Sequence, residues 1–387
     1  MDSMRKSLAT TLLLLALIVP VLAACGGQQA AAPTAAPAAE PTAAPAATEA
    51  PAATEAPAAT EAPAATEVPT EAAATTGEVV KVGLVTDVGK INDGTFNQYA
   101  YEGLQRAEQE LGIEIAYIET QAPTDYDKNL QQFADQGFDM IIGVGFLMGD
   151  ALKAAAEKNP DIKYAIVDNA YDPAIPNVEA LVFAEDQAGF LAGVLAASMT
   201  QSGVVAAVGG VEIPPVQKFL IGYENGAKSV NPDIEVKKVY IDSFTDRARG
   251  AEAARSFISE GADVIFGAGG QTGSGGIQAA AQDGVFVIGV DQDEYVTTFQ
   301  NGAAPGADKV LSSAIKRVDV AVFNAIQSVV DGSFEGGTVV FDAASEGVGL
   351  APFHDTESAI PAEVQTKIEE TLAGLADGSI TTNVTLP

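Results

Sequence analysis

Nine short runs of β-branched and other apolar residues recur along this chain, most of them without the polar alternation of a half-exposed strand. They fall at Val79–Thr86, Ile113–Glu119, Met140–Val144, Tyr164–Asp168 and Val178–Phe183, then at Val204–Val208, Glu235–Tyr240, Val264–Gly267 and Val285–Val290. Between them lie amphipathic helical segments, including Gln98–Leu111, Tyr126–Gln136, Leu191–Thr200, Arg249–Glu260 and Val310–Asp331. Strands that are apolar on both faces, each followed by a helix, belong in a parallel sheet covered by helices on both sides. Two such series predict an α/β chain of two doubly wound Rossmann-like lobes. A ligand then sits in the cleft between them, beyond the carboxyl ends of the strands. The expected division places residues 78–184 plus about 296–332 in the first lobe, and 185–295 plus about 333–387 in the second.

What precedes the first strand reads as address and spacer. Arg5 and Lys6 open residues 1–24, the apolar run Leu8–Val21 follows, and Leu22-Ala23-Ala24 leads into Cys25. The run is too short and too early for an ordinary membrane span, and it fits an export signal. Small residues before a cysteine resemble the lipobox of bacterial lipoproteins, which implies cleavage before Cys25 and a lipid on its sulfur. Cys25 is also the only cysteine, so a disulfide framework or a cysteine-based metal site is excluded from the folded part. Residues 25–77 are Ala, Pro, Thr and Glu, with Ala-Pro-Ala-Ala-Thr-Glu in tandem. Regular prolines and little to bury predict a disordered tether with polyproline II character. The formal charge of −32 over 387 residues opposes contact with nucleic acid. No further run is apolar and long enough to span a bilayer, leaving the lipid as the expected attachment to the outer face of the cell membrane.

The first strand and its loop, Val82-Gly83-Leu84-Val85-Thr86-Asp87-Val88-Gly89 and then Ile91-Asn92-Asp93-Gly94-Thr95-Phe96-Asn97, carry a resemblance. Gly103-Leu104, Phe190-Leu191-Ala192-Gly193, Gly222-Tyr223-Glu224-Asn225-Gly226, Gly289-Val290-Asp291-Gln292-Asp293 and Ser313–Asp319 continue it in order. Together they strongly resemble the basic membrane protein family, the purine-nucleoside-type substrate-binding lipoproteins of ABC importers. The resemblance implies the type I periplasmic-binding fold, a nucleoside as ligand, an ABC permease as partner, a monomeric binder and no cofactor.

It also implies a ligand set. Phe96 stacks on the base with Asn97 beside it, and Phe244, in Ser243-Phe244-Thr245-Asp246, supplies the second aromatic face. Asp87, after the first strand, serves the base edge or the bound loop, and Asp168, after the fourth, makes a polar contact near the base. Asp291 accepts from ribose hydroxyls with Asp293 as the neighbour that shares or takes that role, and Lys316 adds a cation. Gly270 lets backbone approach the ligand closely. By residue type alone Phe96 is better read as a cover over the core and Lys316 as a solvated helix lysine, and the aspartates are as well read as helix caps. Asp150 reads as the cap of a helix at Ala151, and Phe219, at helical spacing from Tyr223, as core.

Alternatives remain open on the residues. Gly267-Ala268-Gly269-Gly270-Gln271-Thr272-Gly273 imitates a dinucleotide fingerprint, with Asp291 some twenty residues on, but its spacing is loose and it lies mid-chain. The single histidine, His354, lies far in sequence from the pocket motifs, and no hydrolase elbow, zinc pair or P-loop is present. Aspartates at separate strand ends do not form a calcium cluster. Binding is therefore expected over catalysis, with a sugar or autoinducer binder as the second reading and a metal-dependent nucleoside hydrolase as the third. Sugar binders of this architecture often place an arginine after the strand-four aspartate, and Asn169 stands there instead.

Overall fold

A computed structural model of the chain describes residues 79–387. The expected signal, the lipid-bearing Cys25 and the tether lie outside the described residues. The first apolar run becomes strand β1 (Lys81–Val88), whose interior residues are all buried. Helix α1 (Phe96–Leu111) follows, then β2 (Glu114–Thr120), α2 (Tyr126–Asp135), β3 (Met140–Val144), α3 (Gly149–Lys158), β4 (Lys163–Val167) and β5 (Val178–Phe183). The second series runs α4 (Glu185–Met199), β6 (Val204–Gly209), α5 (Pro214–Val230), β7 (Glu235–Tyr240), α6 (Arg247–Ser259), β8 (Val264–Ala268), α7 (Gly270–Gln282) and β9 (Phe286–Asp291). It ends with β10 (Val310–Lys316), α8 (Val318–Val330), β11 (Gly337–Phe341), β12 (Val348–Leu350) and α9 (Ala362–Ala376).

Two sheets result, ordered β11-β5-β4-β3-β1-β2 and β12-β10-β9-β8-β6-β7. All neighbours are parallel except β12, which runs antiparallel to β10. Setting aside the outermost strands β11 and β12, both sheets have the 2-1-3-4-5 order of flavodoxin-like folds. Its order reverses between the first and third strands of each sheet, and ligands collect outside that point. Here the switch points are β1/β3 and β6/β8.

The chain passes between sheets after β5, after β10 and after β11. This corrects the expected lobe boundaries. Residues 310–316 form a strand of the second sheet, not part of the first lobe, and β11 at 337–341 completes the first sheet. Val310–Asp331 is likewise not one helix. Strand β10 fills its first third, with Ser312 Oγ donating to Ala351 O (2.7 Å) and Ser313 Oγ accepting from Glu294 N (3.0 Å), so both hydroxyls are satisfied in a buried strand.

Two of the family-like motifs prove to be packing devices. A Cβ built on Gly189 or Gly193 of α4 would meet Phe219 O or Tyr223 O at 2.2 and 2.0 Å. On Gly222 or Gly226 of α5 it would meet Asp186 O or Phe190 O at 2.3 and 2.1 Å. Only glycines let these two helices approach backbone to backbone.

Candidate ligand-binding cleft

At the facing carboxyl ends of the two sheets lies a cleft lined from both of them, where open α/β sheets place their ligands. Asp87, Gly89, Asp93, Phe96, Asn97, Gly145, Phe146 and Asp168 line it from the first sheet's loops. Ile213, Val216, Phe219, Phe244, Gly270, Gln271, Asp291 and Lys316 line it from the second. Of the expected residues, Asp87, Phe96, Asn97, Asp168, Phe244, Gly270, Asp291 and Lys316 thus meet in one space.

The electrostatic centre is Lys316, at the end of β10 and 1% exposed. Its Nζ lies 2.6 Å from both oxygens of Asp168, with Oδ2 accepting the hydrogen bond and Oδ1 left without one. It also lies 3.3 Å from Glu185, the first residue of α4. The rings of Phe96, Phe183 and Phe219 surround the same ammonium at 5.0, 5.1 and 5.8 Å. Burial works to lower the Lys316 pKa, but Asp168, Glu185 and Asp291 outweigh it and leave the ammonium more firmly protonated than usual.

The aspartates feel the opposite pull. Burial raises Asp168 to about 6 against the attraction of Lys316, with Glu185 adding to the rise. Burial raises Asp291 to about 7, again opposed by Lys316 and reinforced by Asp168, Asp93 and Glu294. Among the described residues no group donates a hydrogen bond to the Asp291 carboxylate. Asp168 and Asp291 hold the same left-handed backbone, with φ of 71° and 64°. A non-glycine residue rarely takes that conformation, although aspartate tolerates it better than most. Strain repeated at equivalent strand ends in both lobes aims two carboxylates into one cleft.

Asp87 is fixed from one side only. Its Oδ1 accepts from Val88 N at 2.6 Å and from the Tyr126 hydroxyl. Its Oδ2 faces Gly145, where a Cβ would come within 2.6 Å. Burial raises its pKa while the Tyr126 and Val88 hydrogen bonds pull it down. Asn97 has both ends of its amide occupied: Oδ1 accepts from Asp87 N (3.1 Å) and Nδ2 donates to Asp93 Oδ2 (3.0 Å). It therefore shapes the loop. Asp93 accepts from the backbone N–H groups of Thr95, Asn97 and Gln98 and so anchors the first turn of α1, where Phe96 begins the helix.

The Phe244 loop is tied to the start of α7. Thr272 Oγ1 donates to Ser243 O (2.8 Å) and accepts from Asp246 N (3.1 Å), and Thr272 N donates to Phe244 O (3.2 Å). The glycine run that imitates a dinucleotide fingerprint serves close packing: a Cβ on Gly267 would meet Gly273 O at 2.5 Å, and one on Gly269 would meet Gly210 N at 2.3 Å.

A family model described as "ABC transporter substrate-binding protein PnrA-like" matches residues 80–374. The chain belongs to that family. It is 34% identical over 305 residues to the "ABC transporter nucleoside-binding protein BmpA" of Lactococcus lactis, covering 75% of this chain and 85% of the relative. "Basic membrane protein A" of Borreliella burgdorferi is 35% identical over 263 residues, 66% of this chain and 75% of that one. The fold agrees with a solved ABC transporter solute-binding protein of Aeropyrum pernix at a TM-score of 0.71 and 27% identity, covering 78% of this chain and 92% of that one. The type I periplasmic-binding architecture expected from the sequence is therefore the observed one.

Two expected placements change, those of Asp293 and Asp150. Asp293 does not line the cleft: the chain turns at Asp291, and Asp293 lies outside with Oδ2 2.6 Å from His354 Nε2. Asp150 is not a helix cap but sits in the first turn of α3, with no side-chain capping bond there. Phe219 is core and also a cleft wall. Asn169 lies against Gly149, away from the cleft lining. Asp93, Tyr126, Phe146 and Glu185 also belong to the site, beyond the residues expected there. Glu185 alone left a signal: with Asp186 and Gln187 it opens a helix that is otherwise almost wholly apolar.

Proposed function

We propose that this substrate-binding protein captures a purine nucleoside between its lobes and delivers it to an ABC permease, held at the outer face of the cell membrane by a lipid on Cys25. The observation carrying the reading is the meeting, in one cleft, of two aromatic rings from opposite lobes with strand-end carboxylates. Phe96 and Phe244 offer flat apolar faces for a base. Asp291 offers acceptors with no protein donor, as ribose hydroxyls require, and Oδ2 of Asp87 offers an acceptor to an amino or imino N–H group. The nucleoside-binding relative supports the same class of cargo. The protein binds and releases its cargo unchanged in this reading.

The test is mass spectrometry of small molecules released on denaturing the purified protein, followed by calorimetry with adenosine, guanosine, inosine and uridine. A purine nucleoside should be recovered and should bind more tightly than uridine. Recovery of a sugar alone, with no heat from any nucleoside, would overturn the reading, and release of free base from an added nucleoside would replace it with hydrolysis.

A further inference from the structure

The loop that carries Phe96 is held from both lobes. From its own side Asp93 and Asn97 fix it, as above. From the other side Gln292 Nε2 donates to Thr95 O at 3.0 Å, and Thr297 Oγ1 donates to Gly94 O at 2.7 Å. These two donors belong to the segment after β9, and the two carbonyls to the segment after β1, so both bonds span the cleft. Thr95 and Gln292 are buried. A carbonyl removed from water needs donors, and Thr95 O already holds one from Tyr99 N. Gln292 fills its second lone pair.

On the acceptor side, the place of these bonds separates them from the Lys316 centre. Lys316 ends β10, and Asp168 and Glu185 adjoin β4 and β5, beside the points where the chain passes between lobes. Groups beside such crossings move little when two lobes rotate, so the Lys316 contacts can persist through opening. The loop after β1 lies three strands along from β5. An opening that separates this loop from the segment after β9 breaks its bonds to Gln292 and Thr297.

We infer that Gln292 and Thr297 form an interlobe latch that positions the Phe96 loop and sets the closed population of the cleft. This rests on the proposed nucleoside reading only for the choice of probe. The latch touches backbone of the protein itself and asks nothing of the cargo, so it strengthens closure equally for every ligand. Apparent affinity scales with the fraction of binding-competent protein. Loss of each neutral hydrogen bond should therefore weaken all ligands by the same factor, about three- to tenfold per donor.

The experiment compares full-length wild type with Gln292→Met plus Thr297→Val, which keep volume and remove the donors, and with Thr297→Ser, which keeps the hydroxyl. Calorimetry with adenosine, guanosine and inosine should show one common weakening in the double variant, about tenfold or more, and Thr297→Ser should stay within about threefold of wild type. X-ray scattering of the ligand-free proteins should give a larger radius of gyration for the double variant, with Thr297→Ser matching wild type. Losses that differ among the three nucleosides, unchanged affinity, or equal radii would each overturn the latch. If wild type binds none of the three, the cargo reading falls instead and the scattering comparison alone decides the latch.

Discussion

Replacing Lys316 by methionine tests whether a single shared cation holds the base of the cleft together. The side chain is 1% exposed, with Nζ 2.6 Å from Asp168 and 3.3 Å from Glu185. Removing one partner of a buried ion pair typically costs about 3–5 kcal/mol, because the carboxylates left behind stay out of water without their counter-charge. Here two of them have an escape. Asp168 and Asp291 already stand at about 6 and about 7, and Lys316 holds both below where burial alone would put them. Without the ammonium they rise further and take up protons.

The sign follows from linkage. A carboxyl whose folded pKa exceeds its unfolded value binds a proton in the folded state that the unfolded chain lacks. Stability then falls as pH rises from near 3.8 to the folded pKa. In wild type that fall ends near 7; in Lys316→Met it continues above. At about pH 8 the variant should lose the full 3–5 kcal/mol. At about pH 5 both aspartates are protonated in either folded protein, and wild-type Lys316 has itself lost two counter-charges, so the difference should shrink to about 1 kcal/mol or less. Urea unfolding at the two pH values reads this directly as a displaced midpoint at unchanged slope. Equal losses at both pH values, or a loss below about 1 kcal/mol at pH 8, would refute the shared-cation argument.

Phe96→Ala and Phe244→Ala should each weaken adenosine binding by about 1–3 kcal/mol by calorimetry, and an unchanged affinity would remove that ring from the base site. Tyr126→Phe removes a hydrogen bond that lowers the Asp87 pKa. The acid limb of nucleoside affinity should therefore move to higher pH, and an unmoved limb would show that Asp87 does not act as a carboxylate acceptor. Gly193→Ala places a methyl 2.0 Å from Tyr223 O. It should cost about 1–3 kcal/mol or more in urea unfolding, and wild-type stability would show that α4 and α5 can part without loss.

The nine apolar runs led to nine strands whose ends differ from expectation by at most two residues, because inner strands buried on both faces announce themselves by composition. Strand β10 did not, for a specific reason. Val310, Leu311, Ala314, Ile315, Val318, Ala321, Val322, Ala325 and Ile326 follow the i, i+3, i+4 spacing of a helix without interruption. The strand and helix α8 share one apolar period, and only the pairing of β10 with β9 and β12 divides them. Strands β11 and β12 are short and end their sheets, where little burial writes a pattern. In the cleft, residues that touch its space were legible through motif and strand end. Those that act through partners were not: Tyr126 reaches Asp87 across 39 positions, and Gln292 reaches Thr95 across 197. Asp293 misled because proximity to Asp291 in sequence ignores the left-handed turn between them.

The charge in the cleft has a physical logic beyond any one residue. Four carboxylates line it, Asp87, Asp93, Asp168 and Asp291, with one cation, Lys316, among them. Burying that much acid is unfavourable unless each group finds a proton, a donor or a counter-ion. Asp93 finds backbone donors, Asp168 finds Lys316, and Asp87 finds Tyr126. Among the described residues Asp291 has no donor and no ion-pair contact, only the more distant pull of Lys316, and stands at about 7. A neutral ligand rich in hydroxyl and N–H donors supplies what Asp291 lacks, and its binding would draw that carboxyl back toward its ionised form. An anion would do the reverse. A phosphate brought among these carboxylates would meet repulsion in a low-dielectric space, and the one lysine able to answer it is already bound to Asp168 and Glu185. The same arrangement that leaves Asp291 costly in the empty cleft therefore favours an uncharged nucleoside over its phosphorylated forms.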